Sequence, residues 1–279
     1  MKPRTYSNHD RPYHLGEWPL ERLPRDRDAA PPHHLAQDLA QDLAQDLAQD
    51  LAHEPTGDIV ASEDSIQDAL QAYRELFEVH LTGETAAARA PIPEDPAIRS
   101  SNVKSHAYFL DVDLVGCCRL EPGDTLEGGN GGGTHAHTHA IVFVQELPRR
   151  PEEGDPGHDW LAGTEIAAAD VLTEVAAVVA GYLRAMGFDA TGHAPFKSNI
   201  DLARLAVRAG IARAGATGLE APFLRRGFRI GAVTTEMQLE PDLPLSADDP
   251  LVPDDPIIQD GLHGARPAWY YDEDASRPV

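Results

Sequence analysis

Three histidines, His135, His137 and His139, alternate through "GTHAHTHA" directly after the glycine run "GGNGGG". On an extended chain successive side chains alternate sides, so all three would share one face. Cβ atoms at i and i+2 lie about 7 Å apart there, and two imidazoles can then reach one zinc or copper ion at ~2.0–2.1 Å. The third joins only if the strand curls, and no recognisable motif nearby supplies a fourth ligand. A metal site on these histidines therefore stands beside two other readings: polar residues at a strand entrance, or side chains lining a pocket.

A second group lies in "HAPFKSN", where His193 and Lys197 flank a segment whose Ser198 can cap the next helix. A helix N-terminus favours anions through its free N–H groups and dipole, so these two side chains could face a negatively charged group. The plainer reading is a connecting loop with one solvated lysine. Further on, Gly210, Gly215 and Gly218 space a loop in "AGIARAGATGLEAPFLRRGFRIGAVTTEMQLEPDLPL" that would let backbone approach a ligand closely. The stretch has neither the GxGxxG of a dinucleotide site nor the GKS or GKT of a phosphate loop. No GxSxG or HExxH occurs. The two cysteines, Cys117 and Cys118, are adjacent; four thiolates for a zinc or iron–sulfur centre are not present, and buried thiols beside a strand are expected.

The elements that must position these groups follow from periodicity. "SEDSIQDALQAYRELFEVHL" places Ile66, Leu70, Tyr73, Phe77 and His80 at helical spacing. "NVKSHAYFLDVDLVGCCRL" reads as a helix, a turn at Asp111–Asp113 and a strand over 114–118, and a second strand is expected over 139–146. The longest helix is expected in "GTEIAAADVLTEVAAVVAGYLRAMGFD", with Thr164 as N-cap and Gly187 at the C-terminal stop. A short extended piece, a helix ending at Gly210, and a strand rich in β-branched residues (Ile230, Val233, Thr234, Thr235) complete the set. The alternation implies an α/β (α+β) fold, a mixed sheet flanked by helices, over residues 57–245.

Residues 1–56 read as an arm, with Tyr13, Leu15, Trp18 and Leu20 available to pack on a core, followed by the repeat "LAQDLAQDLAQDLAQDLAHE". A four-residue repeat advances about 40° per step around a helix, so its leucines wind around the axis and line no single face. A low-complexity spacer is expected. Residues 246–279 are acidic and proline-rich and read as a tail. Across the chain 46 acidic residues stand against 23 Lys and Arg, a formal charge of −23. Such a surface repels nucleic acid and anionic membranes, and suits a halophilic setting. No apolar run is long enough to span a bilayer, and no signal-like segment opens the sequence, so a cytoplasmic protein is expected.

Several segments resemble the reductive dehalogenase and epoxyqueuosine reductase superfamily. "YLRAMGFDA", "VRAGIARAGATG" and "APFLRRGFRIGAVTTEMQLEPDLPL" are similar to its "LxxxGY", "AGLGxxGxxG" and "PxxGxRxRxxxVxTDxxLxxDxP" elements. "HAYFLDVDLVGCCRLEP" is similar to "AxxFGADLVGI", "THAIVFVQEL" to "HxxAIVFxxEM", and "RPYHLGEWPLERL" to N-terminal arms of members that are not exported. The resemblance spans about residues 8–25 and 100–245, in the family's order.

That resemblance implies a nitroreductase-like fold binding a cobamide, with reductive removal of halogen from an organohalide. His193, Lys197, Gly210, Gly215, Thr217 and Gly218 would then contact the corrin or its nucleotide tail. The family's electrons usually enter through two [4Fe–4S] clusters held after the "LxxDxP" element. Here "LEPDLPL" is followed by "SADDPLVPDDPIIQDG", so no iron–sulfur cluster is expected within the chain, and a separate ferredoxin or reductase would be the partner. Glu236 replaces the customary Asp, and no tyrosine matches the family's proton donor, so no catalytic acid is assigned. Two readings follow: a cobamide-binding module served by another protein, or a cofactor-free copy of the fold acting as scaffold or subunit of a complete dehalogenase. A histidine metal-binding protein is the third, and a homo-oligomer is compatible with each.

Overall fold

The computed structural model describes residues 19–27, 66–126, 137–148, 164–215, 218–224 and 227–246. His135, Thr217, the LAQD repeat and the acidic tail beyond 246 lie outside the described residues.

Helix α1 spans Ile66–Glu78 and α2 spans Pro96–Phe109. Asp95 caps α2, accepting from Ala97 N at 2.9 Å, and Pro96 fits the first turn, where its missing N–H costs nothing. The chain reverses through Asp111, at φ 72°, into strand β1 (Leu114–Arg119). Strand β2 is His139–Glu146, and the long helix α3 is Thr164–Ala185. Gly187, at φ 82°, ends that helix where a Cβ would strike the Ala88 carbonyl at 2.6 Å. Strand β3 (Ala190–His193) and the short α4 (Leu202–Arg208) follow. Asp201, and not Ser198, caps α4 by accepting from Arg204 N at 2.9 Å; the Ser198 hydroxyl is engaged with Ile200. A two-residue hairpin pair, β4 (Arg213–Ala214) and β5 (Leu219–Glu220), precedes β6 (Phe228–Thr235).

Helices flank a sheet as expected. Its strands run in the order β1-β2-β6-β3, and every neighbouring pair is antiparallel where a mixed sheet was anticipated. The β1–β2 and β3–β6 connections return the chain alongside its neighbour in the opposite sense, whereas the long one from β2 through α3 carries it across to β3, on the far side of β6.

Side-chain alternation gives the sheet two faces, and both are covered. One carries Val115, Cys117, Ile141, Phe143 and Val233 and packs against α2, α3 and Leu81. The other carries Leu114, Cys118, Ala140, Val142, Val144 and Ala232 and packs against α4, Ile211, Leu245 and two residues of the N-terminal arm, Leu20 and Leu23. Burial on both sides explains why β1 and β2 read as continuous apolar runs. None of the described helices is long and apolar enough to cross a membrane.

Candidate functional site

Beyond β2, β3 and β6 the sheet edge gathers a buried polar chain. Thr234 lies on β6 with no exposed surface, and its hydroxyl meets two imidazoles: His137 Nδ1 at 2.8 Å and His193 Nε2 at 2.9 Å. A hydroxyl can donate to one ring nitrogen while accepting from the other, so Thr234 can serve both neutral rings at once. The other nitrogen of His137 faces Asp189 Oδ2 at 3.3 Å, close enough for attraction but without the alignment of a hydrogen bond. Asp189 precedes β3 and accepts from Thr85 at 3.3 Å, while its amide donates to Glu236 at 3.2 Å. Glu236, the residue expected to be Asp, also accepts from Arg89 at 2.8 Å.

Burial pushes the His193 imidazole down to about 4, helped by its neighbour His137. Burial likewise lowers His137, although Asp189 opposes the shift. Both rings are therefore neutral near pH 7. His139 lies on the opposite face, in line with Ile141 and Phe143, and hydrogen-bonds the Thr138 hydroxyl at 2.8 Å. The two described histidines, His137 and His139, do not share the face expected for them, because His137 precedes the ladder and turns to Thr234. Among the described residues no group of three or more His, Cys, Asp or Glu side chains is arranged to hold a metal ion.

Five of the six positions expected to contact a corrin, His193, Lys197, Gly210, Gly215 and Gly218, lie among the described residues. His193 is 1% exposed, sealed inside the sheet edge. Lys197 is exposed and pairs with Glu78 of α1 at 3.1 Å. Gly210, at φ 63°, does allow close approach, but what approaches is the Arg25 guanidinium and the Leu243 carbonyl. Arg25 donates to Gly210 O at 2.8 Å, Leu243 O at 2.7 Å and Leu20 O at 2.7 Å, tying the arm to the loop. Gly215 is closed in the same way by the Glu220 side chain, and its amide donates to Gly218 O at 2.7 Å across the β4–β5 turn. As placed, the space beside Gly210 is filled by Arg25 and the Leu243 carbonyl and that beside Gly215 by Glu220, which leaves no room for a corrin against these two glycines.

Two buried ion-pair groups escaped sequence reasoning. Lys104 of α2 is buried and meets Asp242 at 2.6 Å and Glu21 at 3.3 Å. Burial alone would lower its pKa, but the two carboxylates outweigh that and hold it raised. Asp124, 2% exposed, receives both guanidinium nitrogens of Arg208 at 2.7 and 2.9 Å. Cys117 and Cys118 are free, buried thiols; burial pushes Cys117 up to about 12 and raises Cys118 as well, so neither is a ready nucleophile. The signal for the Lys104 and Asp124 ion pairs was weak, since each joins residues more than 80 positions apart.

No family model and no curated protein matches the chain. Solved structures do. The catabolic reductive dehalogenase NpRdhA, N-terminally tagged, is 42% identical over 99% of this chain and 36% of its own, with a TM-score of 0.73. A reductive dehalogenase structure reported as suggesting a mechanism for B12-dependent dehalogenation gives the same figures. NpRdhA in complex with 3-bromo-4-hydroxybenzoic acid superposes with a TM-score of 0.71. Epoxyqueuosine reductase matches far more weakly, at 13% identity over 53% of the chain. The chain spans 36% of the length of the dehalogenases it matches. By sequence along its length, and by fold, it belongs to the reductive dehalogenase superfamily.

Proposed function

We propose that this chain is an assembly module of a reductive dehalogenase: a copy of the family's α/β fold that supports the enzyme's cobamide-bearing part without holding the corrin itself. The observation that carries the reading is Arg25. Its guanidinium occupies the space beside Gly210, the loop glycine expected to admit the cofactor, and hydrogen-bonds three carbonyls there. The sealed His193 supports the same reading, because a buried neutral imidazole already bound to Thr234 is not offered to a ligand.

A second reading is favoured by the resemblance to a structure reported in terms of B12-dependent dehalogenation. In it this chain binds a cobamide through His193, Lys197, Gly210, Gly215, Thr217 and Gly218, receives electrons from a separate ferredoxin or reductase, and acts on an organohalide. That requires Arg25 to leave Gly210. Incubating the full chain with hydroxocobalamin, desalting it and recording the visible spectrum separates the two. The assembly reading expects no retained corrin absorbance in the wild type. Retention at one corrin per chain would replace it with the second reading, and R25A should then raise affinity by opening the glycine loop.

A further inference from the structure

The outer surface of α3 is composed the wrong way round for a helix facing water. A surface helix normally turns its charges outward and its apolar stripe inward. Here Arg184 is buried, donating to Leu81 O, Ala190 O and His80 O, and Asp170 is 8% exposed beneath Arg74. The positions that do face outward, at spacings of three and four, are Val171, Glu174, Val178, Tyr182 and Ala185. Phe109, at the end of α2, is 79% exposed, and His106 of the same helix packs edge-on against Tyr182 at 4.8 Å. The two helices thus present a strip of exposed apolar side chains, broken by Glu174 and His106.

At one end of the strip lies a cavity of about 250 Å³, lined by Leu110, Asp111, Gln145, Val171, Glu174 and Val175. Leu110, Val171 and Val175 give it apolar wall, while Asp111 and Glu174 bring carboxylates and Gln145 an amide oxygen that is buried with no hydrogen bond among the described residues. A cationic donor such as an arginine or lysine side chain complements that set, and arginine set among apolar contacts is a frequent anchor of protein interfaces.

We infer that this strip and cavity dock the part of a reductive dehalogenase that the present chain does not span, with an Arg or Lys of that part entering the cavity. The inference rests on the assembly reading and adds the surface that performs it. Two facts select this occupant. The chain covers 36% of NpRdhA, so a relative 42% identical carries almost two-thirds of its length elsewhere. The chain's own surplus of acid, −23 overall, disfavours a second copy or its own acidic tail against a cavity bearing Asp111 and Glu174.

The test uses the full chain alone and the full chain substituted for the matching 36% of NpRdhA. Hydroxyl-radical footprinting reads the exposure of Phe109 and Tyr182 directly. Both should label readily in the isolated chain and at least fivefold more slowly in the chimaera. V178E combined with E174R should restore labelling in the chimaera while leaving the isolated chain's melting temperature within a few degrees. Equal labelling in both proteins, with the chimaera melting as one unit, overturns the docking surface and leaves the assembly reading standing. A chimaera whose two parts melt independently overturns both. Protection in the isolated chain that grows with its own concentration, and is abolished by V178E, makes a second copy the occupant and overturns the inference.

Discussion

On the face of the sheet carrying Cys118, Val142 and Ala232, the cover is tied down by charge. Arg25 clamps three carbonyls of the arm and loops, and Arg208 forks onto Asp124. On the face carrying Cys117, Ile141 and Val233, the cover is a layer of helices in which Lys104 and Arg184 are buried and tied as well, and its outside differs: large apolar side chains stand among its polar ones. Tyr73 and Leu76 of α1, Ile98 and Phe109 of α2, and Val171, Val178 and Tyr182 of α3 are all exposed, against only Leu126 and Leu243 among the large hydrophobic residues elsewhere in the described chain. Val79, just after α1, adds to the same layer. One face is finished as a surface. The other exposes a cluster of large apolar side chains of the kind that marks an interaction surface.

The largest expected effect comes from breaking a charge tie. D124A removes a carboxylate that is 3% exposed and leaves Arg208 and the edge of Arg204 facing its empty place. Removing one partner of a buried pair costs about 3–5 kcal/mol, whereas replacing both by apolar groups of similar volume is often neutral. Urea unfolding should therefore show a drop of that size for D124A and a much smaller one for D124L combined with R208M. Equal losses in both would mean that the region is held by packing, and the contrast between the two faces would weaken.

The second expected effect is acid sensitivity of the same face. His193 titrates near 4 in the folded chain and near 6.5 when unfolded, so folding binds fewer protons. Its contribution is complete above pH 6.5 and is lost as the pH falls from 6.5 toward 4. At about 1.36 kcal/mol per pH unit this is on the order of 3 kcal/mol at the acid end. Stability measured across that range should fall in the wild type, and H193Q should remove most of the slope relative to it. Matching slopes would show that His193 does not carry the titration.

A smaller loss is expected at Gly210. In G210A the new methyl group meets Arg25 and the Leu243 carbonyl, at a positive φ that side chains rarely adopt. About 2 kcal/mol is expected from the strain, read by urea unfolding. If R25A combined with G210A recovers nothing, the clamp is not what closes this loop.

What the sequence revealed follows a physical divide. Periodicity is local, so the helices, the strands over 114–118 and 139–146, and the stop at Gly187 were legible. Leu20 was also legible as a core residue of the arm, at 3% exposure. The role of the glycines was legible only as far as close approach; that Arg25, 185 positions away, would do the approaching was not. His193 carried the same ambiguity, because nothing local says that its partner is the Thr234 hydroxyl. Burial of Lys104 and Asp124 depends on pairings across the whole domain, which spacing cannot express. The composition of α3 did hold a signal: Val171, Val178 and Tyr182 fall on the same side as Glu174, and that side has no other charge.

The smallest expected effect tests the unfinished face directly. Leu76 on α1 is 62% exposed, so L76Q removes little apolar contact from the core and adds an amide that water can solvate. Its unfolding free energy should stay within about 0.5 kcal/mol of the wild type, as surface substitutions usually do. L23Q on the other face places the same amide where the leucine is 3% exposed, and there an unsatisfied polar group and lost burial act together. If both substitutions cost several kcal/mol, α1 is packed against something in the isolated chain already. The apolar outside of the helical layer would then be an interior surface of this protein by itself. If only L23Q is costly, that layer is spare in the isolated chain, and its apolar surface is free for a partner.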